Sequence, residues 1–443
     1  MEQLIINGDE LTPVAIFHRL EGKRKVLLES RAEGKHGRYS IIAANPIETI
    51  RVDDNTVTDG SGTMQADDPL AVLSSLIERD TEDAPYPFIG GAVGYIGYDL
   101  LRTYEPIPNT PEDTRGLPDA LFQRYETVVL YNHLEEQVIL IDTGDNNGSA
   151  RLERLKIELE TAKTHELAPV VRTSERILTD KDEFIDRVLK AKEAILAGEV
   201  FQLVLSQRID ATFTGDPFHF YRTLRKQNPS PYLFYIDLGE AIVLGASPES
   251  LVQVVGTRVS TNPIAGTRPR GKTVEEDMRH AADLIQDEKE LAEHRMLLDL
   301  GRNDIGRVAK VGSVTIPKQM EVERFKNVMH LVSEVEGELR DDLNPIDALR
   351  ACLPAGTVSG APKIRAMQLI DELETVKREV YAGAVGYLDV RGGFDFALAI
   401  RTMIVQDDTA YVQAGAGIVF DSDPVSEYEE TLHKAKSLLE VFA

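Results

Sequence analysis

Hydrophobic positions along this chain alternate between a period of two and a period near 3.6, and the switches divide it into elements. Early on, "KVLLES" (25–30), "YSIIAA" (39–44), "TIRVDD" (49–54), "TVVLYN" (127–132) and "QVILIDT" (137–143) are short aliphatic and β-branched runs bounded by turn residues, which predicts strands. "DPLAVLSSLIERD" (68–80) carries a helical spacing opened by an Asp-Pro pair, and the proline-rich "EPIPNTPEDTRGLP" (105–118) reads as a loop. Residues 146–175 read as a charged helix followed by a linker. From about residue 180 the pattern becomes denser. "DKDEFIDRVLKAKEAILAGEV" is an amphipathic helix ending near Gly198 and feeding the strand "VFQLVLSQRIDATF" (200–213). Strands are expected over 232–262, helices over 273–301, 345–352 and after Pro362. Late strands follow in "GAVGYLDV" (383–390), "FALAIRTMIV" (396–405) and "AYVQAGAGIVF" (410–420), then a terminal helix from near Ser426. The mixture has no regular βαβ period, so the class is α+β. "GAVGY" occurs at 91–95 and again at 383–387, a match too short by itself to establish an internal repeat.

Charge narrows the function classes. The chain has 443 residues with 74 acidic against 49 basic side chains, a formal net charge of −25, which argues against nucleic-acid binding because phosphate neutralisation needs a basic face. A small anionic substrate is still compatible, since a few arginines in a cleft reverse the local potential. The single cysteine, Cys352, rules out an intramolecular disulfide. "MEQLIINGDE" carries no secretory pattern and no apolar run reaches the roughly 20 residues of a membrane span, so the expected compartment is the cytoplasm, with no membrane partner.

Four stretches carry candidate chemistry. In "KELAEHRMLLDLGRNDIGR" (289–307), Glu290 and Glu293 stand three apart, on one helix face; Glu427 and Glu430 repeat that spacing in "SEYEETLHKAK". Two converging pairs would offer hard oxygen ligands to Mg2+; two solvated acidic helix faces read the same way. "TNPIAGTRPRG" (261–271) sets a glycine-flanked turn and two arginines around Ala265. "LPAGTVSGAPKIRAMQLID" (353–371) is a turn leading into a helix start suited to an anion, and "QAGAGIVFDSDP" (413–424) a glycine-rich strand end that a carboxylate could approach; either could be a simple tight turn. His330, in "NVMHLVSEV", lies on an apolar segment where core histidines are common.

Taken together and in order, "PIAGTRPRG", "DEKELAEHRMLLDLGRNDIGR", "VMHLVSEVEG", "PAGTVSGAPK", "AGAVGYLD", "IRTMIV" and "QAGAGIVFDSDPVSEYEE" resemble the chorismate-utilising enzymes, within them the anthranilate synthase large-subunit branch, densely over 181–440. The resemblance implies a two-sheet α/β sandwich with helices outside and the active site between the sheets. It implies an N-terminal regulatory segment, 1–165, and a chorismate-binding catalytic domain, 181–443. Glu293 and Glu430 would ligate Mg2+ with Glu290 and Glu427 beside them. Gly266, Thr267, Tyr381, Arg401, Gly415, Ala416 and Gly417 would hold chorismate. Glu249 would protonate the departing C4 hydroxyl, with His330 and Thr357 close to the ring. Gln202 stands where water-adding relatives carry a lysine base, and Ala265 where aminodeoxychorismate synthases carry a nucleophilic lysine. Both replacements leave the attack to free ammonia, with anthranilate and pyruvate as products. "LLES" (27–30), ending in Ser30, with Pro231, Tyr232 and Leu233 resembles a feedback site for tryptophan. Cys352 lacks the surroundings of a glutaminase nucleophile, so the resemblance implies a separate glutamine amidotransferase subunit, in a heterotetramer. Sister enzymes that keep the pyruvyl group (an aminodeoxychorismate or 2-amino-2-deoxyisochorismate synthase) and a silent tryptophan-binding regulator are the alternatives.

Overall fold

The structure, a computed structural model, describes residues 1–30, 37–78, 83–144, 146–161, 167–324 and 328–442. Residues 79–80 of the expected helix and 162–166 of the expected linker therefore lie outside the described residues.

The first part of the chain runs β1 (Glu2–Asn7), α1 (Pro13–Arg19), β2 (Val26–Glu29), β3 (Tyr39–Ala43), β4 (Glu48–Asp53), β5 (Thr56–Asp59), β6 (Gly62–Gln65), α2 (Pro69–Ile77), β7 (Gly91–Ile96), β8 (Ala120–Tyr125), β9 (Thr127–Asn132), β10 (Gln137–Asp142) and α3 (Gly148–Thr161). The remainder begins with β11 (Val171–Ile177), α4 (Lys181–Leu196), β12 (Gln202–Thr214), α5 (Pro217–Gln227), β13 (Tyr232–Asp237), β14 (Ile242–Ser247), β15 (Ser250–Val255), β16 (Arg258–Thr261) and β17 (Ile264–Pro269). Then come α6 (Val274–Leu284), α7 (Glu288–Gly306), β18 (Thr315–Arg324), β19 (Val328–Glu338), α8 (Pro345–Cys352), β20 (Gly360–Ala361) and α9 (Lys363–Leu373). The chain closes with β21 (Ala384–Asp389), β22 (Phe394–Leu398), β23 (Thr402–Gln406), β24 (Thr409–Ile418) and α10 (Pro424–Leu439).

These strands make two twelve-stranded sheets. One runs β1-β10-β9-β3-β2-β13-β14-β23-β24-β12-β11 with β20 also paired to β12, the other β17-β19-β16-β15-β22-β21-β7-β8-β4-β5-β6 with β18 also paired to β19. Both orders fold back on themselves about a seam. Outward from β2 the first sheet reads β3, β9, β10, β1; outward from β13 it reads β14, β23, β24, β12. The second sheet matches β7-β8-β4-β5-β6 against β21-β22-β15-β16-β19 in the same way. The chain thus contains two copies of one ten-strand plan, each feeding both sheets. The repeated "GAVGY" lies on that seam: β7 and β21 pair antiparallel, with Gly94 opposite Gly386. A Cβ on Gly94 would stand 2.0 Å from the Leu121 carbonyl oxygen, and one on Gly386 would stand 2.0 Å from that of Asp395, so both strands need glycine there.

The core follows the layers. Val26, Ile41, Val128 and Ile236 of the first sheet meet Val93, Tyr95, Leu121 and Val385 of the second between the sheets. Helices α1, α3, α5 and α10 cover the outer face of the first sheet, and α2, α7 and α8 that of the second. The expected two-sheet sandwich with outer helices is what is observed. No described helix is long and apolar enough to cross a membrane.

Three expectations differ. "FALAIRTMIV" is two strands, β22 and β23, in different sheets; Arg401 between them adopts φ +50° and turns the chain across the sandwich. The end of the expected linker, up to residue 175, falls in edge strand β11, exposed at every position and therefore without the alternation that would reveal it. The helix over 273–301 is interrupted near Gln286, and Asp287 caps α7 by accepting from the Lys289 and Glu290 N–H groups.

Candidate active site

The Asp287 cap fixes where α7 begins and so puts Glu290 and Glu293 in its first two turns. At the other wall, Asp423 caps α10 through the Ser426 N–H, with Pro424 at its first position, and Glu427 and Glu430 occupy the matching turns. Glu293 and Glu427 are shifted by their surroundings. Loss of hydration in the cleft raises the pKa of Glu293, the Glu290 charge adds to it, and Glu430 contributes; Glu427 is raised by the same loss of hydration and by Glu430. Glu293 is nonetheless reached by solvent, as befits a group lining an open cleft rather than a core. Lys434, one turn beyond Glu430, pairs with it at 2.7 Å and donates to the Gly415 carbonyl at 3.0 Å. Among the described residues no three His, Cys, Asp or Glu side chains stand close enough to form a ready cation cage. An all-carboxylate donor set split between two helices nevertheless suits a hard divalent cation that keeps part of its water.

Glu249 sits where the chain hops from β14 in one sheet to β15 in the other. Its carbonyl accepts from the Leu398 N–H at 3.0 Å, and Ser247 Oγ donates to the Leu398 carbonyl at 2.7 Å, so the hop is tied to the end of β22. Thr357 Oγ1, from a single 3-10 turn at 356–358, donates to the carboxylate at 2.9 Å. Burial pushes the Glu249 carboxyl up to about 7, the Thr357 bond opposing it only in part. That turn is in turn held by Arg378, which is fully buried. It donates to the Val358 and Val204 carbonyls at 2.7 Å each, pairs with Glu374 at 2.6 Å, and lies 5.6 Å from the Tyr381 ring centre.

Tyr381 faces Gly415 of β24: a Cβ there would stand 2.7 Å from the phenol oxygen. Two residues before this tyrosine and one after it, Glu379 and Ala382 have φ +51° and +65°. With Arg401, that makes three non-glycine residues in left-handed backbone close to one site, the kind of cluster found where position matters more than local comfort. Gly266 forms a bulge between Ala265 and Thr267 at φ +71°, and a Cβ there would meet Glu290 Oε2 at 3.1 Å. His330 Nδ1 lies 3.0 Å from both the Gly266 carbonyl and Thr267 Oγ1. A carbonyl only accepts, so this bonding assigns the ring proton to Nδ1; burial lowers the imidazole pKa and keeps the ring neutral. Gln202 opens β12, with its amide against Gly417: a Cβ on that glycine would be 2.9 Å from Nε2.

Among the residues singled out for the reaction, close contacts join Thr357 to Glu249, Tyr381 to Gly415, Gln202 to Gly417, and Gly266 to Glu290 and His330, with two differences from expectation. The arginines of "TNPIAGTRPRG" are already paired with acidic side chains. Arg268 is bound by Asp283, Asp287 and Glu290, and Arg270 by Asp277, so they fasten the loop to α6 and α7 instead of making a basic pocket. Arg401 spends one guanidinium nitrogen on the end of α10, donating to the Lys434 carbonyl at 2.8 Å and to Ser437 Oγ at 3.0 Å; among the described residues its Nε and Nη2 have no protein partner.

A family model described as chorismate binding enzyme matches residues 23–440. The chain belongs to that family. Anthranilate synthase component 1 of Lactococcus lactis is 46% identical over 450 residues, covering 98% of both chains, and that of Thermus thermophilus is 46% identical over 440 residues, covering 98% of this chain and 95% of the other. The crystal structure of anthranilate synthase component I from Streptococcus pneumoniae superposes with a TM-score of 0.85 at 45% identity over 99% of each chain. The menaquinone-specific isochorismate synthase of Escherichia coli shares the fold, with a TM-score of 0.75 at 19% identity over all of this chain and 94% of that one.

Two further features complete this family member's site. Lys434 and Arg378 escaped the sequence reading. Both had a visible signal, the four-residue spacing of Lys434 from Glu430 and of Arg378 from Glu374; what no local pattern shows is that Arg378 also binds the Val204 and Val358 carbonyls of distant elements. Across the seam where β2 meets β13, Ser30, Pro231, Tyr232 and Leu233 line a single cavity of about 690 Å3, together with Tyr39 and Phe394.

Proposed function

We propose that this chain is an ammonia-using anthranilate synthase large subunit, converting chorismate to anthranilate and pyruvate. The observation that carries the reading is Glu249. A carboxyl with its pKa raised to about 7 and fixed by Thr357 still carries a proton in a large fraction of molecules at neutral pH and can give it to a departing hydroxyl. Gly266 and Thr267 on the bulge, Tyr381, the unpaired edge of Arg401 and the Gly415–Ala416–Gly417 backbone line the surface on which chorismate lies. The Arg401 fork is suited to a carboxylate. Glu293 and Glu430, with Glu290 and Glu427 behind them, are the residues that would hold Mg2+. When bound, the cation supplies a positive anchor for the ring carboxylate.

Ammonia forms the bond to C2; the C4–O bond breaks, the ring double bonds shift, and the hydroxyl leaves as water with the Glu249 proton. Loss of the C2 proton and of the enolpyruvyl group, as pyruvate, then gives the aromatic ring. His330 remains a neutral ring beside this centre. Gln202 offers an amide where a base would be needed to activate water, and Ala265 offers no nucleophile. Cys352 is buried, its thiol pKa driven up by burial, which argues against an internal glutaminase. Ammonia would come from solution or from a glutamine amidotransferase subunit, in a heterotetramer. Tryptophan would occupy the seam cavity as feedback inhibitor, with 1–165 as the regulatory segment and 181–443 as the catalytic domain. Residence in the cytoplasm fits this reading.

The deciding experiment uses the purified chain with chorismate, Mg2+ and ammonium at mildly alkaline pH, following anthranilate fluorescence and pyruvate together. Equal appearance of both is expected. An aminated product without pyruvate would move the chain to a pyruvyl-retaining sister enzyme. Calorimetry with tryptophan tests the seam cavity: binding that is lost in Leu233→Arg is expected, and no binding up to low millimolar concentration refutes it.

A further inference from the structure

A second, smaller cavity adjoins the site. It holds about 210 Å3 between the inward face of α7 and the turn at 356–361. Gln202 and Gly356 form its inner end, Met296, Leu297 and Leu300 its walls, and Asp299 and Asn303 its rim. The rim is in water, with the Asp299 side chain 71% exposed, while Leu297 and Gly356 are buried. The volume is below the ~300 Å3 at which pockets begin to hold drug-sized ligands, yet several times the ~30 Å3 that a water-sized molecule takes.

Its position matters more than its size. Glu293, Leu297 and Leu300 share one face of α7, and at 1.5 Å per residue the two leucines lie roughly 6 and 10 Å beyond the carboxylate along the axis. That offset is the scale of a substituted six-membered ring anchored by its carboxylate near Glu293. Leu300 closes the inner end: a Cβ on Gly356 would stand 1.7 Å from Leu300 Cδ2, so the leucine is pressed onto the glycine beside Thr357, the partner of Glu249. The path thus runs from a polar mouth, where Asp299 pairs with Arg302, through a thioether and two leucines to the Gln202 amide. Neutral ammonia, the nucleophile, crosses the apolar throat without the desolvation penalty that a charged ammonium would carry. The Gln202 carbonyl can then accept an N–H bond and leave the nitrogen lone pair free.

We infer that this cavity is the entry port for ammonia, with Leu300 as the barrier between the port and the ring and Gln202 as the group that receives the nucleophile. The inference rests on the reading of the chain as an ammonia-using enzyme.

Two variants of the full chain test it, with steady-state kinetics in ammonium at about pH 8.5. Met296→Phe narrows the throat: the ammonium KM should rise at least tenfold while the chorismate KM stays within twofold. Leu300→Ala widens it: methylamine should now give N-methylanthranilate, pyruvate and water at a rate at least tenfold above the unaltered chain. Thermal melting of each variant accompanies the kinetics, and either variant suffices if the other does not fold. An unchanged ammonium KM, a parallel rise in both KM values, or no gain with methylamine overturns the port. If the unaltered chain itself makes no anthranilate from ammonium, the parent reading falls, and the port with it.

Discussion

Replacing Glu249 by glutamine should make the protein inactive and, at alkaline pH, more stable. The carboxyl titrates near 7 in the folded chain against an ordinary 4.5, because burial disfavours its charge. A folded pKa above the unfolded one means that the native state holds the proton more tightly between those values, so stability falls as pH rises from 4.5 to 7 and the loss is complete above that window. The linkage relation gives a cost of about 0.8 kcal/mol at pH 5 and about 3 kcal/mol at pH 8, an upper bound since solvent reaches one edge of the group. Glutamine keeps an oxygen for Thr357 Oγ1 and does not titrate, so its advantage should grow by about 2.5 kcal/mol between those pH values. With an unfolding entropy near 2.1 cal/mol/K per residue over 443 residues, the melting point of the variant relative to the parent should shift upward by about 3 °C from pH 5 to pH 8. Turnover of chorismate should drop by about 100- to 10,000-fold, the usual cost of losing a general acid. Scanning calorimetry of both proteins in matched buffers reads the first effect, and anthranilate fluorescence the second. A melting difference that stays flat with pH would show that the carboxyl is ionised in the fold and is no acid at neutral pH.

Other outcomes follow from the same geometry. Glu430→Gln should abolish Mg2+-dependent turnover with the melting temperature within a few degrees of the parent; full activity removes Glu430 from the ligand set. Gln202→Lys places an amine where water could be activated and should yield detectable isochorismate by chromatography; none at all means that this position alone does not choose the nucleophile. Gly94→Ala drives a methyl into the Leu121 carbonyl on a central strand, and should lower stability by at least about 3 kcal/mol, a melting drop of about 3 °C or more, with unchanged melting as the refuting result.

How much was legible beforehand differs element by element. Helices α4, α8 and α10 declare themselves through spacing and caps, and β12 through its apolar run. Strand β11 could not, since every residue on it faces solvent. The break at Arg401 was hidden for another reason: the apolar pattern continues unchanged on both sides, and arginine gives no hint of a left-handed backbone. The candidate site was legible as motifs but not as a constellation. Spacing alone paired Glu290 with Glu293 and Glu427 with Glu430, whereas bringing α7 opposite α10 depends on a sheet order that no local pattern encodes. The basic character of "TNPIAGTRPRG" misled, because both arginines are neutralised by aspartates and a glutamate from the next two helices.

The doubled plan has a consequence for how the molecule comes into being. Strands β2 and β7, the inner edges of the first copy, are largely buried in the finished protein because β13 and β21 cover them, and those partners are more than 200 residues away. A nascent chain that has emerged only as far as α3 therefore carries two apolar strand edges with nothing to pair them, open to any neighbouring polypeptide. Synthesis at about 5–20 residues per second leaves them bare for about 10 seconds or longer. Each half is the other's missing edge, so an expression host short of chaperones should lose this protein to inclusion bodies during translation, well before thermal stability is tested.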